Sequence, residues 1–233
     1  MIMGQPQKAV DLLKIIQKNA TSVNKEKNFN MEKKFARAKS LERSGLYEEA
    51  FSLFKEINLE KPGINKYFQP MKNYLKQMEA WDTLMVYTQN YANARNQDFQ
   101  SQLEFLDIFI WMDAESRWQE TAFKLTQTRI TNDNSMKSLM QRLVNNGKYD
   151  FAYERLKEYR QKTNTKDFYS IEMGTFFGIR MDYEKAVQEY LLFLETHPEQ
   201  LQTISDRIMV YPDIPDIMDA ITSILLKSPL QSS

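Results

Sequence analysis

The side chains able to carry out chemistry are few in kind. The chain of 233 residues contains no cysteine and a single histidine, His197. Without cysteine there is no thiolate nucleophile, no disulfide and no Cys-based zinc site, and one histidine cannot form a multi-histidine metal site. His197 precedes Pro198 in a predicted turn, a setting that favours a surface residue over a Ser-His-Asp triad. We therefore expect no catalytic triad and no metal site.

Glycines and carboxylates also lack a pattern typical of catalysis or cofactor binding. Neither G-x-G-x-x-G nor G-x-x-x-x-G-K-S/T occurs, so no phosphate-binding loop is expected. Gly174 and Gly178 are four residues apart, which favours close packing of one helix face. Glu48 and Glu49 are adjacent and point about 100° apart on a helix, so they do not form a general acid/base pair. The sequence predicts a protein that is not an enzyme and binds no cofactor.

Composition is typical of folded soluble proteins without a membrane span. Lys and Arg number 31, Asp and Glu also 31, and 42% of the residues are hydrophobic. No stretch reaches the roughly 18 apolar residues that a spanning helix needs. Residues 1–76 hold 15 basic and 8 acidic side chains, but glutamates lie among the lysines, so no nucleic-acid interface is expected. The localisation expected by default is cytoplasmic; an extracytoplasmic one is the alternative if the N-terminus is truncated.

A repeat of about 34 residues organises most of the chain. The segments 45–50, 147–152 and 181–186 each place an aromatic residue three positions before an alanine. The aromatics that mark the repeat follow one another at a nearly constant interval; they are Tyr47, Trp81, Trp118, Tyr149 and Tyr183. Apolar residues at helical spacing flank short polar turns, which predicts two helices in each repeat and no strands.

This helix–turn–helix pattern resembles the tetratricopeptide repeat (TPR) family. Two repeats match the family's positions well. The first is carried by Ala38, Leu41, Gly45, Tyr47, Ala50, Phe54 and Pro62, and the second by Gly174, Phe177, Tyr183, Ala186, Tyr190 and Pro198. The resemblance implies an all-α fold, a right-handed α-solenoid of stacked antiparallel helix pairs.

The array has expected boundaries along residues 1–233, which we interpret as a segment of a longer protein. Its parts are a partial repeat with only a second helix (1–18), a polar insertion (19–31), about five repeats (32–199) and a degenerate sixth (200–228). Helix pairs are expected near Lys33–Phe54, Pro70–Tyr91, Gln100–Thr128, Ser135–Arg160 and Phe168–Glu195. Pro70 is expected near the start of its helix, where proline is tolerated. In the partial repeat the apolar residues Val10, Leu13 and Ile16 would lack a partner helix.

The resemblance also implies a binding surface, because the first helices of TPR proteins line a groove that grips segments of partner proteins. A protein or peptide partner is therefore expected, with Lys66 and Lys76 attracting an acidic segment. The family's groove positions are occupied here by Phe35, Lys39, Lys66, Asn73, Lys76, Leu103, Leu106, Ile110, Lys137, Gln141, Phe168 and Ile171. Glu172 stands where chaperone-tail binders have asparagine, so that ligand is not expected.

Two questions stay open at this level. Leu103, Leu106 and Ile110 are either an apolar patch for a partner or a helix face buried by an irregular neighbour. The function predicted first is a non-catalytic interaction scaffold. The alternative is a helical accessory region of a larger multidomain enzyme or assembly factor, with the catalytic part outside this chain. The pattern does not set an assembly state.

Overall fold

Short turns divide the chain into helices, as the repeat pattern predicts. The structure, a computed structural model, describes residues 5–130 and 132–226, and in these ranges it contains no strand. The α-helices are α1 (Gln5–Arg43), α2 (Tyr47–Glu60), α3 (Asn65–Gln77), α4 (Trp81–Ala94), α5 (Phe99–Trp111), α6 (Glu115–Thr128), α7 (Asp133–Asn145), α8 (Tyr149–Thr163), α9 (Ser170–Ile179), α10 (Tyr183–Thr196), α11 (Leu201–Ile208) and α12 (Pro215–Leu226). The all-α prediction is confirmed. None of the described helices combines the length and the hydropathy needed to span a membrane.

Five turns with the same backbone geometry recur at a constant interval along the chain. In each turn one residue adopts a left-handed conformation; the five are Gly45, Glu79, Asp113, Gly147 and Met181, with φ between 51° and 78°. The residue after each donates its N–H to a carbonyl five residues earlier, as Leu46 does to Leu41 at 3.0 Å and Asp182 to Phe177 at 2.9 Å. This is the Schellman end of a helix. The helix ends therefore recur with the same backbone geometry and the same interval, even at the turns that lack glycine.

The same period defines buried positions on both helices of each repeat. On the first helix the position is held by Ala38, Lys72, Leu106, Met140 and Gly174, all of them buried. On the second helix it is held by Ala50, Leu84, Trp118, Ala152 and Ala186, which are at most 4% exposed. Trp118 therefore does not correspond to the aromatic Tyr47. It occupies the alanine position three residues later, and the sequence alignment at this repeat was shifted.

The chain forms two compact units, Met1–Thr121 and Ala122–Ser233. In the N-terminal unit, each of α2 to α5 packs on the helix before it. Its core contains Ala38, Ala50, Phe54, Phe68, Met71, Leu75, Leu84, Tyr91 and Ile108. In the C-terminal unit α7 packs on α8, α9 on α10, and α10 on α12. Burying such apolar side chains is the main favourable contribution to folding in each unit.

The N-terminal segment differs from the expectation. Residues 1–4 lie outside the described part, but from Gln5 to Arg43 the chain is a single helix of 39 residues. The segment 19–31 does not interrupt that helix, because no glycine or proline occurs between Gln7 and Ser44. A separate partial repeat followed by an insertion was therefore the wrong description of this segment.

The position of Pro70 also differs from the expectation. Helix α3 begins at Asn65, so Pro70 lies inside it rather than at its start. Proline there removes one backbone hydrogen bond, while the buried Tyr67 and Phe68 hold the first turn in place.

The expected sixth repeat, 200–228, contains the short α11 and then α12, in which Ile221 is buried. Residues 227 and 228 lie outside the described part.

Gly174 provides a test of how closely α9 and α10 pack. A Cβ atom at Gly174 would lie 2.5 Å from Cε1 of Tyr190, which is 2% exposed and cannot move aside. We expect G174A to lower the free energy of unfolding by about 1–3 kcal/mol. Urea denaturation measures this. G178A is the matched control: its Cβ would meet the hydroxyl end of Tyr211, and the helix-propensity gain of about 1 kcal/mol offsets that contact. Equal stability of G174A and the native chain would contradict the packing.

Candidate functional site

The first helices of the second and third repeats meet through a row of polar and aromatic side chains. Residues three, four and seven apart share one face of a helix, so α3 and α5 each present such a row. We call this the α3–α5 cluster; it consists of Gln69, Lys72 and Lys76 on α3 and of Gln100, Glu104, Asp107 and Trp111 on α5.

The centre of the α3–α5 cluster is a buried group of three charges. The Lys72 ammonium contacts Oε2 of Glu104 and lies 2.7 Å from Oδ2 of Asp107. All three side chains are at most 2% exposed. Gln69 and Gln100 donate to the other oxygen of Glu104, at 3.2 and 3.4 Å. Removing three charges from water is costly, and only their close pairing makes the arrangement tolerable. The group therefore fixes α3 against α5.

The other end of the α3–α5 cluster reaches solvent. The Lys76 ammonium lies 3.8 Å from the ring centroid of Trp111, and the buried Lys72 lies 4.7 Å from the same centroid. Lys76 and its neighbour Asn73 are exposed, while Trp111 is half-buried. A cation over an indole ring is held in place by the electrostatics of the ring. This end therefore presents a positioned ammonium, an amide and an aromatic surface to solvent.

The other polar candidates of the N-terminal unit already have partners. Lys66 lies 2.5 Å from Oε1 of Glu32, and the Tyr67 hydroxyl donates to the same oxygen at 2.7 Å. The hydrogen bond from Lys66, followed by that from Tyr67, lowers the pKa of Glu32. Lys39 pairs with Glu42 on its own helix. Both lysines are thus neutralised locally.

Phe35 contributes to packing more than to an open surface. It is half-buried, with its ring centroid 5.1 Å from that of Tyr67 and 6.0 Å from that of Phe54. It packs against both hydrophobic clusters of this unit. Phe35 therefore packs within the N-terminal unit and leaves only part of its ring to solvent.

The three apolar candidates on α5 are core residues. Leu103 and Leu106 are fully buried and Ile110 is 8% exposed. The structure therefore favours burial over a partner-binding patch. Their assignment to the groove rested on counting back from Trp118, which occupies the alanine position, so the count was shifted by three residues. Counting from the turn residues instead gives Gln100, Leu103, Asp107 and Ile110 as the equivalents of Lys66, Gln69, Asn73 and Lys76. Leu103 and Ile110 therefore keep groove positions but are buried, and only Leu106 leaves the groove set.

The candidates in the C-terminal unit come together on α7 and at the start of α9. The Lys137 ammonium lies 5.7 Å from the ring centroid of Phe168, which in turn is 5.1 Å from that of Tyr159. Phe168 and Ile171 are half-buried, and Gln141 is exposed. The Lys137 ammonium lies farther from its ring than the Lys76 ammonium does, 5.7 Å against 3.8 Å. This face therefore holds its lysine less firmly than the α3–α5 cluster does.

A buried ion pair supports the chain next to Phe168. Both outer nitrogens of Arg160 donate to Glu189, at 2.9 and 2.6 Å, and its Nε donates to the Phe168 carbonyl at 2.9 Å. The Tyr153 hydroxyl also donates to Glu189, at 2.9 Å. Burial, and then the Glu189 charge, raise the pKa of Tyr153. These four hydrogen bonds hold α8, α10 and the start of α9 together.

His197 does not form a catalytic relay with its neighbours. The Thr196 hydroxyl lies 2.8 Å from Nδ1 of His197, and Asp167 lies 3.5 Å from the same nitrogen. A relay needs the hydroxyl and the carboxylate on opposite ring nitrogens. The ring itself stacks on Phe193 at 4.4 Å. Among the described residues, no three His, Cys, Asp or Glu side chains lie close enough together to hold a metal ion.

Four residues of the α3–α5 cluster were missed at the sequence level: Lys72, Glu104, Asp107 and Trp111. The signal was present in the repeat itself. Lys72 occupies a position that is Ala38, Met140 and Gly174 in other repeats, and a lysine there needs a buried acid. Glu104 and Asp107 interrupt an otherwise apolar run, residues 103–112, at a spacing that places both on one face.

The sequence matches no protein-family model, and no curated protein is found to be similar to it.

Proposed function

We propose that this protein is a non-catalytic scaffold that binds a segment of a partner protein on the exposed end of the α3–α5 cluster. The observation that carries the proposal is the placement of Lys76 over Trp111, 3.8 Å from its centroid, beside the exposed Asn73. Buried charges behind this end fix the two helices, so the binding groups are ordered before a partner arrives. Such preorganisation lowers the entropic cost of binding.

The helix pairs further support a TPR-like arrangement. The five evenly spaced helix ends, from Gly45 to Met181, have one hydrogen-bonding pattern. A fixed period of about 34 residues is the mark of a helical repeat protein. We accordingly propose a right-handed TPR-type solenoid, whose first helices offer the surface that partners use.

The chemistry of the surface favours an acidic, extended segment with one apolar side chain. Among the described residues no acid forms an ion pair with Lys76, whereas Lys39 and Lys66 are paired with Glu42 and Glu32. A partner carboxylate would thus meet Lys76, the Asn73 amide would bond to the partner's backbone, and the Trp111 ring would pack on an apolar group. Of the two lysines expected to attract such a segment, Lys66 is paired with Glu32, and Lys76 alone keeps that role.

The experiment selects from a displayed library of random peptides of about 12 residues and measures affinities of the selected peptides by fluorescence anisotropy. We expect enrichment of Asp and Glu beside an apolar residue. K76E should raise the dissociation constant at least about tenfold, because it replaces attraction by repulsion.

K55E is the matched control for this substitution. Lys55 is also an exposed lysine over an aromatic ring, 5.6 Å from the centroid of Phe51, but it lies on α2, the second helix of its repeat. Affinity should stay within about twofold of the native value in K55E. Equal losses in both variants, or no enrichment of acidic peptides, would contradict the proposal.

A further inference from the structure

The N-terminal half of α1 has an apolar stripe that is exposed in the part of the chain that the structure describes. The α1 stripe consists of Leu13, Ile16, Ala20 and Val23, at intervals of three, four and three residues. All four are exposed, the three large ones by 52% or more. A stripe with this spacing is the narrow seam by which one helix packs along another.

The same face of α1 is covered farther along the helix. Eighteen residues make five full turns, so Leu13, Ala20 and Val23 lie directly in line with Met31, Ala38 and Leu41. Those three pack against core residues of α2, including Ile57 and Phe54.

Helix α2 ends where the covered part of α1 ends. Glu56 and Glu60, in its last turn, pair with Lys34 at 3.2 and 2.6 Å. The α1 stripe is therefore the continuation, beyond the end of α2, of a face that already packs against an antiparallel helix.

We propose that the α1 stripe packs against the α1 stripe of a second copy of this chain, in the antiparallel direction. One antiparallel alignment places Leu13 opposite Val23 of the second copy and Ile16 opposite its Ala20. The two-fold symmetry repeats both contacts, so the pair has four layers of facing side chains, and all four are apolar. The α1 helix of the second copy then runs antiparallel to α1, as α2 does. The inference does not depend on the proposed partner-binding function.

Charge favours the antiparallel over the parallel direction. Lys27 lies four positions after Val23, on the same face of α1 and just beyond the end of the α1 stripe. A parallel pair would bring the two copies of Lys27 face to face, which repels. In the antiparallel pair they are separated by roughly 27 Å along the helix. Lys14, Lys18 and Lys25 lie on the opposite face of the helix and stay in water in either case.

The first experiment is sedimentation equilibrium of the full chain. We expect a dimer at about 100 µM that dissociates on dilution, since four layers form a short seam. I16E should raise the dissociation constant of the dimer at least about tenfold.

I15E is the matched control. Ile15 and Ile16 are the same residue type and are similarly exposed, 55% and 60%, but Ile15 points about 100° away from its neighbour. The I15E chain should dimerise within about twofold of the native chain. A monomer at every concentration, or equal effects of I15E and I16E, would overturn the proposal.

The second experiment tests the direction by disulfide formation, and the native chain has no cysteine to interfere. Mixing I16C with A20C should give a cross-linked dimer under mild oxidation, while each variant alone should give little. Cross-linking of I16C alone would show a parallel pair and overturn the proposed alignment. A chain that stays monomeric but floats with phosphatidylserine vesicles would show instead that a lipid surface covers the stripe, which also overturns it.

Discussion

Replacing Lys72 by methionine is expected to lower the free energy of unfolding by about 3–5 kcal/mol. Methionine fits the position, since Met140 occupies it in a later repeat. The loss comes from Glu104 and Asp107, which remain buried with two negative charges and no ammonium between them. Urea denaturation at pH 7 measures the change. K76M is the control, because Lys76 is exposed and its substitution should cost at most about 1 kcal/mol.

The origin of that loss can be tested by a second set of substitutions. E104Q and D107N in the K72M background should recover most of the loss at pH 7, since they remove the unpaired charges. A K72M chain as stable as the native one at pH 7 would contradict the role of the cluster.

Much of the fold could be predicted because its signals are local. Gly45 and Gly147 mark helix ends by their left-handed conformations, and the intervals between aromatics indicated the length of the repeat. The exact alignment of the third repeat could not be predicted from aromatics, because Trp118 fills a buried position that alanine fills elsewhere. Its equivalent helix end, at Asp113, carries no glycine to reveal it.

The centre of the candidate site was harder to predict, since it depends on pairs distant in the sequence. Lys72 lies 32 and 35 residues before the two acids that it contacts, and a lysine on a predicted helix is ordinarily assigned to solvent. Only its equivalence to Ala38, 34 residues earlier, marks it as a buried position. By contrast, Asn73 and Lys76 were predicted to line the groove, and both are exposed, because a polar residue on the free face of a helix needs no distant partner.

The length of α1 shows a different limit of sequence analysis. Asparagine, serine and threonine between residues 19 and 30 were interpreted as an insertion, since these residues are common in turns. They disfavour a helix only weakly unless glycine or proline accompanies them. Tertiary contacts of residues 31–41 then nucleate a helix that continues upstream, since extending a helix costs far less than starting one.

Replacing Leu106 by serine decides between the two interpretations left open for the apolar face of α5. Leu106 is fully buried and occupies the position of Ala38 and Met140 in other repeats. Serine there leaves a cavity and buries a hydroxyl group, so we expect the free energy of unfolding to fall by about 3–5 kcal/mol. Chemical denaturation followed by circular dichroism measures the change.

L59S is the matched control for L106S. Leu59 lies on α2 and is 63% exposed, so the same substitution there reports the loss of helix propensity alone, at most about 1 kcal/mol. A large loss in L106S with a small one in L59S places Leu106 in the core of the N-terminal unit. Peptide binding by the folded fraction of L106S should then be unchanged, because Lys76 and Trp111 supply the contacts. Equal stability of the two variants, with peptide binding lost only in L106S, would instead make the apolar face of α5 the binding surface.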